Sequence, residues 1–423
     1  MRAPPFRRLQ KYLSSASGEG VIEASCFSPD SLGLWSSVVA PHLEAIRPLP
    51  EVEEGLRDPL ASIDQLKRAV QVFEGMQPQG GPLHAAVVSI LADSQHRKGK
   101  YREALSSLDT ITPEGASNPL LPLIKLSKAK VQWYSGEFTE AVSTTEEVLD
   151  LDAVHASPSL RCAALNANAL ARLLRLVQDD RRGIDREDES DAINEGLRIA
   201  SNTMIQQQRA GDRNQLMVAA LLNNVGVAQM VTSRSTSKPA LPMVMKSWYQ
   251  ALSTLQQSHP IQEHLFATPW LEAQVHLNMA WTLLHDMPKD KKDEEGLKMA
   301  SDSTREAITL MEKWDSIEGQ RTLHRALGLA ARCYVQAGSA VTAEGLWQTI
   351  MGSEETRGVG PLHGLTYRDA LSDFGQLCVN WDKRESEGEG LLQRSREVNN
   401  NLGQGWRDQP ALLSGLWFYT LGQ

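Results

Sequence analysis

The sequence has few cysteines, and their placement argues against a disulfide framework or a thiolate metal site. There are four in 423 residues, with no C-x-x-C pair and no histidine at ligand spacing. They are far apart in the chain: Cys26, Cys162, Cys333 and Cys378. We expect these four side chains to be small buried apolar groups in a reducing compartment.

Long uncharged apolar runs are also missing. No stretch approaches the roughly 20 apolar residues that span a bilayer, and the run from Ala411 to Leu421 is about half that length. The sequence therefore predicts no transmembrane segment.

An excess of basic residues is absent too. The sequence has 43 Lys and Arg against 52 Asp and Glu, for a net charge of -9. This balance argues against nucleic-acid binding as the main activity, since phosphate contacts need a basic face.

Sequence motifs for catalysis or phosphate binding are absent. The chain contains no H-E-x-x-H, G-x-x-x-x-G-K-[ST], G-x-S-x-G or G-x-G-x-x-G. The glycine cluster from Gly358 to Gly364 has the wrong spacing, and the acidic run 179–189 is interleaved with arginines, as in a solvated loop. We expect no cofactor and no metal, and a protein that is not an enzyme.

What the sequence does contain is a recurring helix-turn-helix pattern. Its clearest copy has apolar residues on a first helix, a turn glycine, and apolar residues on a second helix: Leu327, Ala330, Ala331, Tyr334, Gly338, Ala343, Trp347 and Ile350. Further copies span 88–111 and 129–148, around Gly99 and Gly136. These two glycines are about 37 residues apart, close to the tetratricopeptide period of roughly 34.

The pattern resembles the tetratricopeptide-repeat family. Alanines at close-contact positions let paired helices approach, and a turn glycine supplies positive φ at little steric cost. The resemblance implies an all-α, right-handed solenoid of antiparallel helix pairs, with about six to seven units and atypical capping helices at both ends.

The chain divides on this basis into four parts. They are a basic segment 1–30, capping helices 31–80, repeats 81–351, and a degenerate repeat with a C-terminal capping helix 352–423. Three repeats carry longer turns at the same place in the unit, so these should emerge on one edge of the solenoid: 178–190, 232–240 and 287–295. We expect the apolar end, 411–421, to cover the exposed face of the pair before it.

The first eighteen residues are basic, and no acid precedes Glu19. Phe6, Leu9 and Leu13 share one helical face, opposite the basic side chains. This pattern is typical of a mitochondrial transit peptide and also of a disordered basic tail. The predicted location is mitochondrial, with a cytoplasmic protein as the alternative.

The resemblance implies a concave groove lined by the first helix of each pair. The groove positions carry amides, which donate to and accept from a peptide backbone, and arginines, which bind carboxylates. The residues predicted to bind a protein partner there are Asn168, Arg172, Asn223, Asn224, Asn278, Trp281, Arg325 and Arg332. The alternative for each is an ordinary solvated helix face.

The family's clamp for the C-terminal carboxylate of chaperones such as Hsp90 is not matched. It needs asparagine at a position where three central units have Arg172, Val227 and Trp281.

The leading hypothesis is a non-enzymatic scaffold or adaptor that binds an unidentified protein segment in the groove. The alternatives are a permanent assembly subunit that docks through its convex surface and edge loops, and an enzyme without a recognisable motif.

Overall fold

The structure is a computed structural model, and it is all helical over the residues that it describes. Those residues form fifteen α-helices and one 3-10 helix, without a strand. They are 67, 70–71, 82–97, 99–111, 121–178, 186–209, 215–232, 241–257, 267–286, 293–312, 317–352, 361–381, 383–402 and 411–416. The predicted basic segment 1–30 and nearly all of the predicted cap 31–80 lie outside these residues.

The helices follow one another as seven pairs, and the two helices of each pair pack together. The pairs are α1 (Pro82–Arg97) with α2 (Tyr101–Asp109), α3 (Leu121–Ser135) with α4 (Phe138–Leu149), α6 (Pro158–Gln178) with α7 (Arg186–Arg209), α8 (Gln215–Thr232) with α9 (Leu241–Gln256), α10 (Ala267–Asp286) with α11 (Glu294–Met311), α12 (Ile317–Gln336) with α13 (Ala340–Gly352), and α14 (Pro361–Val379) with α15 (Glu385–Asn401). A short helix α5, Asp152–Ala156, precedes the third pair.

The short turns within three pairs are made by the predicted glycines. Gly99, Gly136 and Gly338 have φ values of 71°, 90° and 83°, a region in which a side chain would be strained. Each lies between the two helices of its pair, so the chain reverses direction there. The predicted turns of these three repeats are confirmed, and the paired helices are antiparallel.

Neighbouring pairs stack into one array. Each first helix contacts the first helix of the next pair, from α1 with α3 through to α12 with α14. Each second helix also contacts the first helix that follows it, as α4 does with α6. The close contacts are made by alanines such as Ala129, Ala167 and Ala331, all fully buried. The predicted all-α solenoid of helix pairs is confirmed, and its first helices line the inner side.

Two predicted turn insertions are shorter than the sequence suggests. Helix α7 already begins at Arg186, within the predicted insertion 178–190, because the acids of its first turn interact well with the positive end of the helix dipole. Helix α11 begins at Glu294, where the carboxylate of Asp293 accepts from the amide of Gly296 at 2.9 Å. Residues 179–185, 233–240 and 287–292 lie outside the described part.

The array curves far enough for distant pairs to touch. Helix α3 contacts α14, and Nη1 of Arg321 on α12 donates to the hydroxyl of Tyr101 on α2 at 2.7 Å. The two residues are separated by 220 positions in the chain. The inner side is therefore enclosed at this point by both ends of the described array.

The C-terminal segment, which we define as 411–416, was predicted to belong to a helical cap. It contains a 3-10 helix, Ala411–Gly415, which contacts not only α14 of the last pair but also α10 and α8. These are all first helices. The segment therefore lies along the inner side of the array instead of covering its end.

Most of helix α8 is enclosed by the fold. Of the described helices, it alone has the length and apolar composition for a membrane span, and 72% of that stretch is buried, as in a core helix.

The described cysteines are buried as predicted, and burial raises the pKa of Cys162 and of Cys333 to about 11.

Candidate functional site

A chain of hydrogen-bonded polar side chains crosses four successive first helices on the inner side. We call it the inner-face network, and all its members are buried: Asn166 on α6, Asn223 and Asn224 on α8, Gln274 and Asn278 on α10, and Arg325 on α12. Buried amides are costly unless they are hydrogen-bonded, so a network of this kind fixes the relative positions of the four helices.

The links of this network run in one direction. Asn224 Nδ2 donates to Asn166 Oδ1 at 2.9 Å, and Asn223 Nδ2 donates to Asn224 Oδ1 at 3.2 Å. Asn278 Nδ2 donates to Asn223 Oδ1 at 2.7 Å, and Arg325 Nη2 donates to Asn278 Oδ1 at 2.7 Å. Asn224 and Asn278, both predicted to line the groove, are thus connected through Asn223.

The C-terminal segment is held by the centre of this network. The carbonyl oxygen of Gly415 accepts from Nδ2 of Asn223 at 3.0 Å and from Nδ2 of Asn278 at 3.3 Å. A Cβ at Gly415 would clash with Oδ1 of Asn278 and lie 2.6 Å from Nη1 of Arg325. The site therefore binds a backbone carbonyl and accommodates only glycine at that position.

Leucines fix the rest of the segment. Leu412 and Leu413 are completely buried, Leu416 is almost so, and all three belong to the main hydrophobic core of the array. Burying a leucine stabilises by roughly 1.5–3 kcal/mol. The inner side thus combines apolar contacts for two adjacent leucines with amide donors for the backbone that follows.

The charge of the network comes from Arg325. Its side chain is only 3% exposed, and its Nη1 donates to Gln274 Oε1 at 2.8 Å. Its described partners are amide oxygens and no carboxylate, and its Nε has no hydrogen-bond partner. Burial lowers the pKa of Arg325 to about 9. A buried guanidinium beside Gly415 makes the site electropositive.

Two other predicted groove residues, Asn168 and Arg172, take part in contacts between helices. Asn168 Nδ2 donates to Thr145 Oγ1 on α4 at 3.0 Å. Arg172 joins Glu146 and Glu189, at 2.7 and 2.8 Å. Asn168 and Arg172 therefore connect α6 to the second helices α4 and α7, and neither is among the described contacts of the C-terminal segment.

Arg332 and Trp281 also have internal partners. Arg332 Nε lies 2.5 Å from Asp373 Oδ2, which connects α12 to α14. Trp281 is buried and stacks on His285 with ring centroids 4.6 Å apart. Of the eight predicted residues, those that the structure brings together are Asn223, Asn224, Asn278 and Arg325.

Sequence reasoning missed Asn166, Gln274 and Gly415. Asparagine is unfavourable in helix interiors, and its presence in the apolar stretch of α6 was an available signal for a buried network. Gly415 gave no signal, because its role depends on contacts with Asn223, 192 positions earlier in the chain. Among the described residues, no group of three His, Cys, Asp or Glu is placed to hold a metal ion.

No protein-family model matches the chain, and no curated protein matches it. Among solved structures it is similar to the human IFIT1 dimer with m7Gppp-AAAA, at 14% identity and a TM-score of 0.39, over 94% of this chain and 84% of that one. It is also similar to a monomeric mutant of IFIT1 with Gppp-AAAA, at 14% identity and a TM-score of 0.39, over 98% and 84%.

Proposed function

We propose that this chain is a tetratricopeptide-like, non-enzymatic scaffold that binds a short peptide segment of a protein partner on its inner side. The observation that carries the proposal is the carbonyl of Gly415, which accepts hydrogen bonds from both Asn223 and Asn278. Two amide donors on neighbouring first helices form a site that binds main chain, and main-chain binding is how a groove accepts an extended or turn-forming peptide.

The chain's own C-terminal segment is the template for the partner. It has two adjacent leucines, then Ser414, Gly415 and Leu416. A partner segment of the same class would place two leucines in the same apolar contacts and a glycine beneath Asn278 and Arg325. Because the segment already fills the site in cis, a partner binds only in competition with it.

The test uses a fluorescent peptide with the sequence of residues 408–419, DQPALLSGLWFY. In the Gly415→Val variant the chain's own segment no longer fits, so the site opens. We expect this variant to bind the peptide at least tenfold more tightly than the unaltered chain, a difference of about 1.4 kcal/mol. The measurement is fluorescence anisotropy, with circular dichroism and melting curves to verify that both proteins are folded.

Two controls define the result. A peptide carrying the same glycine-to-valine change should not bind, because its side chain meets Asn278 and Arg325. A protein that combines Gly415→Val with Asn278→Ala should lose affinity, because the peptide carbonyl loses a donor. If a folded Gly415→Val variant binds no more peptide than the unaltered chain, the inner side is a structural core and not a binding site.

A second candidate function is a permanent subunit of a larger complex, docked through the outer surface. This function is favoured because the chain's own C-terminal segment already fills the inner side. It is also favoured by apolar side chains on second helices whose surface is largely exposed to solvent: Met243 is 62% exposed, Tyr249 46% and Val341 72%. In this case Met243→Glu should abolish recovery of stoichiometric partners, whereas Gly415→Val should retain them. If residues 1–30 also direct a fused reporter to mitochondria, the complex is mitochondrial.

A further inference from the structure

A second cationic cluster lies where distant pairs of the array meet. We call it the seam cluster; it consists of Arg321 and His324 on α12, His363 on α14, and Tyr101 on α2. The hydroxyl of Tyr101 accepts from Nη1 of Arg321 at 2.7 Å, and the guanidinium carbon lies 5.9 Å from the centre of the Tyr101 ring. Tyr101 therefore orients the guanidinium of Arg321.

The remaining edge of that guanidinium is free. Nε and Nη2 of Arg321 are buried and have no hydrogen-bond partner. None of the ion pairs among the described residues includes Arg321. In a planar guanidinium, Nε and Nη2 form one edge with two parallel donors. This fork matches the two oxygens of a carboxylate or phosphate.

Two histidines extend the set of unused polar atoms. The rings of His324 and His363 are 6.1 Å apart, and Nδ1 of His324 and Nε2 of His363 are buried without a partner. Burial, together with the nearby Arg321 and His324, lowers the pKa of His363 to about 3, and burial also lowers the pKa of His324. Both rings are therefore neutral at physiological pH, and one N–H of each ring can still donate.

Leaving a buried donor unsatisfied costs roughly 1–3 kcal/mol. The seam cluster leaves two such atoms on Arg321 and one on each histidine, and the single positive charge of Arg321 has no carboxylate paired with it among the described residues. Water satisfies donors but leaves that charge unbalanced, whereas an anion does both.

We propose that the seam cluster is a binding site for an oxyanion, a phosphate or carboxylate group held by the Nε–Nη2 edge of Arg321 and by His324 and His363. This site is separate from the inner-face network, and its occupant would connect α12 to α14 beside the contact of Arg321 with Tyr101. The inference does not depend on the proposed peptide binding.

The experiment titrates inorganic phosphate into the full chain at constant ionic strength, with chloride as the balancing anion. We expect saturable changes in the histidine ring resonances, followed by NMR, and a saturable rise in melting temperature. Arg321→Lys keeps the positive charge but loses the two-donor edge, and it should weaken phosphate binding at least tenfold. Arg305→Lys is the matched control, because Arg305 is exposed on the neighbouring helix α11, and it should bind as the unaltered chain does.

A second variant protects the test against a folding defect. His363→Gln removes one ring donor and should weaken phosphate binding without removing the arginine; circular dichroism verifies that each variant is folded. A titration with acetate in place of phosphate identifies the chemical class of the oxyanion. Saturable binding of acetate that depends on Arg321 indicates a carboxylate. Binding of phosphate but not of acetate indicates a phosphate group. If neither anion saturates, or if Arg321→Lys responds like the unaltered chain, the cluster holds water only and the proposal is wrong.

Discussion

Asparagine is the residue that best indicates how this chain uses its inner side. Its side chain competes with the helix backbone, so it is usually found at helix ends and turns. Here Asn223, Asn224 and Asn278 lie inside helices and are completely buried. The sequence predicted their common surface from the repeat register, but it did not show that they contact one another, because the rotation of each first helix depends on its neighbours.

His363 makes the stability of the fold sensitive to pH. Burial, Arg321 and His324 lower its pKa from 6.5 to about 3, so the unfolded chain binds a proton more readily than the folded one between these pH values. Stability is therefore complete above pH 6.5 and is lost as the pH falls toward 3. This residue should contribute a loss of about 2 kcal/mol between pH 6.5 and pH 5.

His363→Gln should remove that part of the loss. The measurement is urea unfolding of the unaltered chain and the variant at pH 7, 6 and 5. His155→Gln is the control, because His155 is exposed on α5, and it should leave the pH dependence unchanged. If the free energy of unfolding falls equally with pH in the unaltered chain and in His363→Gln, the fold does not hold this side chain neutral.

At the scale of the helix, close approach decides which residues are tolerated. In the last pair, a Cβ on Gly388 would lie 2.6 Å from the amide nitrogen of Val379 and 2.7 Å from the carbonyl oxygen of Gly375. Gly390 follows on the same helix, α15, and a Cβ there would have no atom within 4 Å. The two glycines differ in environment but share one helix.

We expect opposite effects from alanine at these two sites. Gly388→Ala should destabilise by about 1–3 kcal/mol, because backbone atoms of α14 must move to make room. Gly390→Ala should stabilise by about 0.5–1 kcal/mol, since it removes the entropic cost of glycine in an exposed helix. Thermal unfolding of the two variants measures both changes. A neutral Gly388→Ala would contradict the packing of α14 against α15.

The accuracy of the sequence predictions followed the range of the contacts. Turns at Gly99, Gly136 and Gly338 were predictable because a glycine and the alanines around it lie within one repeat. The position of the C-terminal segment was not predictable, because Gly415 meets Asn278 over 137 positions and Asn223 over 192. Local periodicity carries no information about such partners. The handedness of the solenoid remains a prediction from the family resemblance.

For the whole molecule, the contact between α2 and α12 distinguishes this chain from an open solenoid. In an open array each repeat contacts only its neighbours, and stability is a sum of local terms. The hydrogen bond from Arg321 to Tyr101 couples repeats that are 220 positions apart. The described array should therefore unfold with more cooperativity than a linear one of the same length.

The coupling can be measured by a double-mutant cycle. Tyr101→Phe removes the hydroxyl and Arg321→Lys removes the guanidinium fork, and each change should destabilise the chain when made alone. Because both remove the same hydrogen bond, the double variant should be about 1 kcal/mol more stable than the sum of the single effects predicts. Denaturant unfolding in phosphate-free buffer gives the free energies of unfolding of the unaltered chain, the two single variants and the double variant.

Tyr101→Phe combined with Arg305→Lys is the reference cycle. Its two effects should add, because Arg305 pairs with Asp302 and not with Tyr101. Additivity in both cycles would mean that the two ends of the described array do not meet in solution.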